Sequence, residues 1–299
     1  MQKITPCLWF DDQTEKAVTF YTSVFADSRL IQLQRYPDDP PPGLMEGMQG
    51  KLLNANFELE GQRFMALDGG PIFKFNPSIS FFVHCGTKEQ VDSFWEAFSE
   101  GGEALMPLAE YPFNPRYGWI QDRFGISWQL ILAPAAQKIV PSLLFVGDQA
   151  GHAEQAIELY TRVFGGTSIG DISRYGPGQE PDQEGTIAHA SFELENQMFA
   201  AMDSAQRHEF GFNEAVSFYV ECETQQEVDQ YWEALSAVPE AEQCGWLKDK
   251  YGVSWQIVPV QLGEMLSDPD PEKSGPVMDV MLQMKKFDIA ALEAAYEGG

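Results

Sequence analysis

Apolar and polar positions along the chain follow two periods. Leu52–Leu59 and Arg29–Tyr36 alternate with period two, as half-buried strands do. Residues 15–25 instead place Ala17, Phe20, Tyr21, Val24 and Phe25 at helical spacing, so one helix face is apolar. The short apolar runs ITPCLWF (4–10) and SISFFVHC (78–85) read as strands, and Gly61-Gln62 as a hairpin turn into a strand at Arg63–Leu67. Thr87 with Gln90 three residues on is a capping-box signature. It predicts a helix carrying Val91, Phe94, Trp95 and Phe98. Two more strands follow, the last ending in SWQLIL (127–132).

The same order then recurs. IVPSLLF (139–145) answers ITPCLWF, and EQAIELYTRVF (154–164) answers EKAVTFYTSVF (15–25). GTIAHASFELEN (185–196) matches GKLLNANFELEG (50–61), and AVSFYVECETQQEVDQYWEAL (215–235) matches SISFFVHCGTKEQVDSFWEAF (78–98). GWLKDKYGVSWQIV (245–258) matches GWIQDRFGISWQLI (118–131). The offsets are 135, 135, 137 and 127 for the first strand, the GxxxxxxFELE block, the second half and the last block, and they change only between blocks, where loops absorb insertions. Each copy therefore holds two βαβββ-type modules and the chain holds four. The predicted class is α+β, with domains at 1–136 and 137–262, each curling its two modules into one curved mixed sheet around a cleft. Residues 263–299 form a tail: a polar linker at 267–275, a helix within Val277–Lys286 and a second helix N-capped by Asp288.

Composition narrows the function. The chain is 44% hydrophobic and 13% aromatic, enough for packed cores. Its net charge of −26, from 45 acidic and 19 basic residues, opposes nucleic-acid and membrane-surface partners. No apolar run approaches the roughly 20 residues of a membrane span, and no signal-peptide core is visible. The four cysteines, Cys7, Cys85, Cys222 and Cys244, have no zinc or disulfide spacing, so a reduced, cytoplasmic chain is expected.

The βαβββ order, the FYTSVF helix and the DRFGISWQ ending resemble the vicinal-oxygen-chelate superfamily of glyoxalases, dioxygenases and bleomycin-resistance proteins. FELEGQRFMALDGGPIFKFNPSISFFV (57–83), CGWLKDKYGVSWQIVP (244–259) and the tail MDVMLQMKKFDIAALEAAYEG (278–298) resemble its PhnB-like branch, often labelled 3-demethylubiquinone-9 3-methyltransferase. The resemblance implies a sheet-lined small-molecule cleft, pairing of the two copies with each other and a possible homodimer. In metal-using members it also implies a divalent ion held by His, Glu or Gln. The carboxylate expected on the last strand of each copy is Gln129 or Gln256 here, and the His expected at the start of each first strand is missing. A neutral amide is a weaker oxygen ligand.

His189, mid-strand in IAHASFEL, shares a face with Ile187, Ser191 and Glu193, and its counterpart in the first copy is Asn54. It reads either as a solvent-facing or hydrogen-bonded His, or as a ligand-orienting donor. His84, His152 and His208 read as surface or loop residues. A metal site would need His189, Glu193 and Gln256 to converge. The stretch EYPFNPRYGW (110–119), present only in the first copy, reads as a loop. Its Arg116 and Tyr117 either hold an anionic or aromatic ligand at the cleft mouth or cover an edge. Trp128 and Trp255 alternate with Gln129 and Gln256, which sends the tryptophans to the core and the glutamines to the cleft. The candidate ligand residues are thus Asn54, Arg116, Tyr117, Gln129, His189 and Gln256.

Three functions follow. The first is binding of a small organic ligand with no cofactor. The second is a metal-dependent glyoxalase- or dioxygenase-type enzyme. The third is a methyltransferase, which the residues do not support: no strand–GxGxG–helix unit is present, since Gly69-Gly70 leads into proline and Gly101-Gly102 follows a helix.

Overall fold

The structure is a computed structural model and describes residues 2–35 and 50–298. The first module is β1 (Ile4–Phe10), α1 (Thr14–Val24), β2 (Ser28–Arg35), β3 (Leu52–Leu59) and β4 (Gln62–Asp68). Tyr36, the last residue of the predicted second strand, lies outside the described residues. The second module is β5 (Ile79–Cys85), α2 (Lys88–Ser99), β6 (Glu103–Tyr111), β7 (Asn114–Gln121) and β8 (Ser127–Leu132). The third is β9 (Ile139–Phe145), α3 (Ala153–Val163), β10 (Ser168–Arg174), β11 (Ile187–Leu194) and β12 (Gln197–Asp203). The fourth is shorter: β13 (Val216–Cys222), α4 (Gln225–Leu235), β14 (Trp246–Lys248) and β15 (Ser254–Pro259). Three tail helices follow, α5 (Val260–Leu266), α6 (Pro271–Gln283) and α7 (Ile289–Glu297).

The helix starts have identifiable causes. The Thr87 and Thr224 hydroxyls accept from the backbone N–H groups of Gln90 and Glu227, capping α2 and α4. Helix α1 is capped from a distance by Asp68, whose Oδ1 accepts from the Gln13 and Thr14 N–H groups. Asp203 does the same for Gly151 and Ala153 at the start of α3.

The strands form two mixed sheets, in the orders β14-β15-β13-β1-β4-β3-β2 and β10-β11-β12-β9-β5-β8-β7-β6. The assembly differs from the sequence expectation in one respect: the two modules of a copy do not share a sheet. Each sheet joins the first module of one copy to the second module of the other, through antiparallel β1–β13 and β5–β9 pairing. The reason lies in the apolar faces. Within the first copy the helix-bearing faces of both modules pack on each other: Phe64 meets Phe81 at 5.2 Å, Phe81 meets Trp128 at 5.5 Å, and Phe98 stacks on Trp128 at 5.1 Å. The second copy repeats this with Phe199–Phe218 at 5.6 Å and Phe218–Trp255 at 5.3 Å. Each aromatic so buried contributes up to about 3 kcal/mol of transfer free energy. That face-to-face closure leaves β1, β5, β9 and β13 to pair across the copies.

At the centre of each copy sits a buried carboxylate. Asp122 accepts from Tyr21 Oη (2.7 Å), Trp128 Nε1 (2.8 Å) and the backbone N–H groups of Phe124 and Ile126. Asp249 holds Tyr160, Trp255, Tyr251 and Val253 in the same way. The DRFG and DKYG turns are therefore also hubs tying a helix of one module to a strand of the next.

The stretch at 110–119 is the tip of the β6–β7 hairpin, not a loop. The fourth module has no counterpart of β6. In its place the tail runs alongside: the Cys244 and Gly245 N–H groups donate to the Met284 and Lys285 carbonyls, each at 2.8 Å. Val258, Leu262, Met265, Val277, Phe287 and Leu292 then form a separate apolar cluster over Tyr219 and Cys244. The expected linker at 267–275 is largely helical, because Asp270 caps α6 and Pro271 occupies its first turn. The 262/263 boundary falls inside α5. Among the described residues no helix is long and apolar enough to cross a membrane.

Candidate functional site

Strand alternation sends one set of side chains to the helices and the other to the open face of each sheet. Both sheets curl around that face. Phe82 on β5 and His189 on β11 are separated by two strands, yet their rings lie 5.8 Å apart. In the other sheet Trp9 on β1 and Trp246 on β14 are also two strands apart, with rings at 6.0 Å. Each curled sheet encloses a cleft. Because each sheet contains both copies, each cleft is lined by both, rather than one cleft belonging to each copy.

The eight-stranded sheet carries Ser80, Phe82 and His84 (β5), Gln129 (β8), Tyr117 and Trp119 (β7), Ser142 (β9) and His189 (β11) into its cleft. Tyr117 Oη donates to Gln129 Oε1 at 2.5 Å, and Gln129 Nε2 donates to Ser80 Oγ at 2.9 Å. Ser142, opposite Ser80 in the β5–β9 ladder, has a fully buried hydroxyl without a partner among the described residues. Trp119 Nε1 donates to Ser127 Oγ at 2.7 Å. Phe82, Tyr117, Val140 and Ala200 are buried in a cluster covered by Met106, Tyr111, Trp119, Ile131, Met198 and Met202.

The seven-stranded sheet repeats the plan with changed residues. Gln256 Nε2 donates to Ser217 Oγ at 2.9 Å. Cys7 stands where the other cleft has Ser142, opposite Ser217 in the β1–β13 ladder. Burial pushes its thiol up to about 11, partly offset by hydrogen bonds with Gln256 and Ser217. The place of Tyr117 is taken by Cys244. Trp9, Phe73 and Trp246 form an aromatic wall, with Trp9 edge-on to Phe73 at 5.1 Å and its Nε1 donating to the Gly70 carbonyl at 2.8 Å. A Cβ on Gly69 would lie 2.1 Å from the Trp9 ring, so only glycine leaves room for the indole.

The sequence candidates fall into place as follows. Gln129 and Gln256 point into the clefts, and Trp128 and Trp255 into the core, as alternation requires. Tyr117 lies in the cleft of the eight-stranded sheet. Arg116 does not: one residue earlier on a strand, it faces the helices and pairs with Asp92 of α2 at 2.6 Å. Asn54, on the cleft face of β3, donates to Gln34 Oε1 at 3.1 Å, and its own Oδ1 is buried without a partner among the described residues. His189 is half-buried. Burial first, and then the nearby His84, lower its pKa. His84 is not a surface residue either: it is half-buried with Nδ1 3.2 Å from the Ala133 carbonyl, and burial lowers its pKa. Glu193 accepts from Ser168 Oγ at 2.6 Å. His189 and Glu193 stand on the eight-stranded sheet and Gln256 on the seven-stranded one, so these three do not converge. The cleft floors hold Ser, Cys and Gln, with no carboxylate to offset a divalent charge. Among the described residues no group of three or more His, Cys, Asp or Glu is placed to hold a metal ion. The donor set does not fit the metal of the metal-using relatives.

Cys7, Ser80, Ser142 and Ser217 were missed from sequence, as were Trp9 and Trp246. The available signal was a single hydroxyl or thiol in mid-run of an otherwise apolar strand.

Comparison with known proteins gives matching results for both copies. The family described as 3-demethylubiquinone-9 3-methyltransferase matches residues 2–131 and again 137–258. A solved structure described as a putative 3-demethylubiquinone-9 3-methyltransferase, PhnB protein, from Bacillus cereus is 40% identical (TM-score 0.41). The match covers 44% of this chain and 100% of that one. Protein PA1353 from Pseudomonas aeruginosa is 23% identical over 44% of this chain and 98% of its own (TM-score 0.39). Glyoxalase I from Zea mays, 12% identical, aligns over 84% of this chain and 89% of its own with a TM-score of 0.54, a likeness of fold. No curated protein matches the chain.

Proposed function

The chain belongs to the 3-demethylubiquinone-9 3-methyltransferase family, the PhnB-like branch of the vicinal-oxygen-chelate superfamily, in a tandem two-domain form, and from that premise we propose that it binds a small organic ligand in a sheet-lined cleft without a divalent metal. The observation that carries this reading is the pair of cleft floors. Each holds a glutamine amide bonded to a serine hydroxyl, Gln129–Ser80 and Gln256–Ser217, where a metal-using relative would need charged ligands. An amide–hydroxyl pair can orient a ligand's carbonyl or N–H group, but it supplies no Lewis acid and no general base near neutral pH. His189 faces Phe82, and burial and the nearby His84 outweigh Asp171 in setting its pKa, which is lowered.

The name of the family does not extend the reading to methyl transfer. A Rossmann-type S-adenosylmethionine binder rests on a doubly wound parallel sheet and a glycine-rich turn at a helix N-terminus. Here both sheets are mixed and built on antiparallel hairpins such as β3–β4 and β11–β12.

The test is ligand-dependent thermal unfolding of the full chain in chelator, against neutral organic molecules and S-adenosylmethionine. A ligand of the native state raises the midpoint by mass action. The expected result is a saturable rise with at least one neutral organic ligand and none with S-adenosylmethionine. A rise with S-adenosylmethionine alone would overturn the reading.

A further inference from the structure

On the helix-bearing side of the first copy, a groove of about 500 Å³ lies between the end of α1 and the flank of α2. The second copy closes the equivalent place with its own side chains, and those side chains show what the first copy leaves unmet. We propose that the groove is a binding site separate from the sheet-lined clefts, and that it takes a small organic cation, an ammonium or guanidinium group on an apolar body.

Three positions open the groove. In the second copy Gln230 of α4 reaches the end of α3, where its Nε2 donates to the Val163 carbonyl at 3.2 Å. Ser93 stands at that position of α2 and is too short to do the same. The Val24 carbonyl, counterpart of Val163, accepts no hydrogen bond among the described residues. Tyr231 donates from Oη to Glu195 at 3.3 Å, whereas Phe94, its counterpart, has no hydroxyl to offer Glu60. Arg162 stands in the last turn of α3, where a cation complements the negative end of the helix dipole. The last turn of α1 carries no basic residue, and Ser23 holds the position of Arg162. Burial follows the same division: Val163 and Tyr231 are buried, while Val24 and Phe94 are only half-buried.

The walls so exposed are rich in acceptors. The Glu60 side chain is 7% exposed; one carboxylate oxygen pairs with Lys138 at 2.5 Å, and the other has only the Asp27 N–H, at 3.5 Å. Lys138 is free to make that pair because Gln90 stands where the second copy has Glu227, which holds the equivalent Lys3 at 2.6 Å. Exposed Glu89 adds a second carboxylate to the lining, against the single ammonium of Lys138. His84 also lines the groove, but burial lowers its pKa, so it adds no charge near neutral pH. Val24, Phe94 and Ala97 supply an apolar strip beside these groups. A charged N–H donor answers the carboxylate, the carbonyl and the helix end together, whereas an anion would meet like charge. The net charge of −26 adds attraction at longer range. An aromatic body suits the face of Phe94.

The experiment is calorimetric titration of the full chain with three probes. Benzylammonium chloride has the charge and the apolar body, benzyl alcohol lacks the charge, and methylammonium chloride lacks the body. The expected result is saturable binding of benzylammonium at one site per chain, with each of the other two bound roughly tenfold more weakly. Ser23→Arg/Ser93→Gln gives two exposed positions the residues of the second copy. It is expected to weaken benzylammonium binding roughly tenfold while leaving the unfolding midpoint of the ligand-free chain unchanged. Equal binding of benzyl alcohol would overturn the cationic class. Equal binding of methylammonium would show only the net charge of the chain at work and would overturn the site. Benzylammonium binding undiminished in the double variant would overturn the location. No saturable binding of benzylammonium would overturn the proposal as a whole, whereas the cleft reading falls only to the thermal screen above.

Discussion

Asp122 and Asp249 each accept four hydrogen bonds in the buried centre of a copy, from a tyrosine, a tryptophan and two backbone N–H groups. Truncating either strands four donors out of reach of water. Asp122→Ala and Asp249→Ala are each expected to cost about 3 kcal/mol or more in urea unfolding, against less than ~1 kcal/mol for the exposed Asp148→Ala. Equal losses in the buried and exposed variants would show that the hubs are not structural. A pH effect is expected from His84 and His189. Burial lowers both pKa values below 6.5, so the folded state binds these protons less readily than the unfolded chain. Their neutral forms therefore contribute stability that is fully present above pH 6.5 and is lost as the pH falls through the lowered folded-state values. The unfolding free energy should decline from pH 7 towards pH 5, and the double variant His84→Gln/His189→Gln should flatten that slope. An unchanged slope would mean that other groups control it. At this scale the sequence was partly legible. The Gln129/Gln256 and Trp128/Trp255 orientations follow from alternation alone. Arg116 was misplaced because a strand read as a loop carries no alternation.

The elements themselves were legible where local chemistry decides them. Thr87, Thr224 and Asp288 accept from the third residue of their helices, as their spacing predicts. In the tail the two helices were legible but the start of α6 was not, because Pro271 looks like a breaker in sequence, although it lies where a helix tolerates proline. That tail stands in for the strand that the fourth module lacks: Met284 and Lys285 run alongside Cys244 and Gly245, and Phe287 packs where a Cβ on Gly245 would clash at 2.5 Å. Removing residues 268–299 should expose a sheet edge together with the apolar surface of Tyr219 and Val258. Such edges template pairing with another chain. The truncated chain is expected to melt several degrees lower and to self-associate with rising concentration in light scattering. A truncated chain as stable and monodisperse as the parent would contradict this role.

On the scale of the whole molecule, the repeat in the sequence foretold two copies and the family resemblance implied that they pair, but neither told which modules would share a sheet. That choice is made by packing between residues far apart in the chain, Phe64 on Phe81 and Phe199 on Phe218, and no local pattern encodes it. Its consequence is that neither copy holds a cleft of its own. One polypeptide supplies both halves of two clefts, and the halves were then free to diverge: Tyr117 against Cys244, Ser142 against Cys7, His189 against Asn54. The central claim is that the sheet-lined clefts take their ligand without a divalent ion. The most direct measurement is elemental analysis of the full chain after loading with Zn²⁺, Ni²⁺, Mn²⁺ or Fe²⁺ and removal of free ion by gel filtration, beside the same analysis of Gln129→Ala/Gln256→Ala. Metal well below one ion per chain, unchanged by the double substitution, is the predicted result. One ion per chain that disappears in the double variant would contradict the account and return the clefts to metal chemistry.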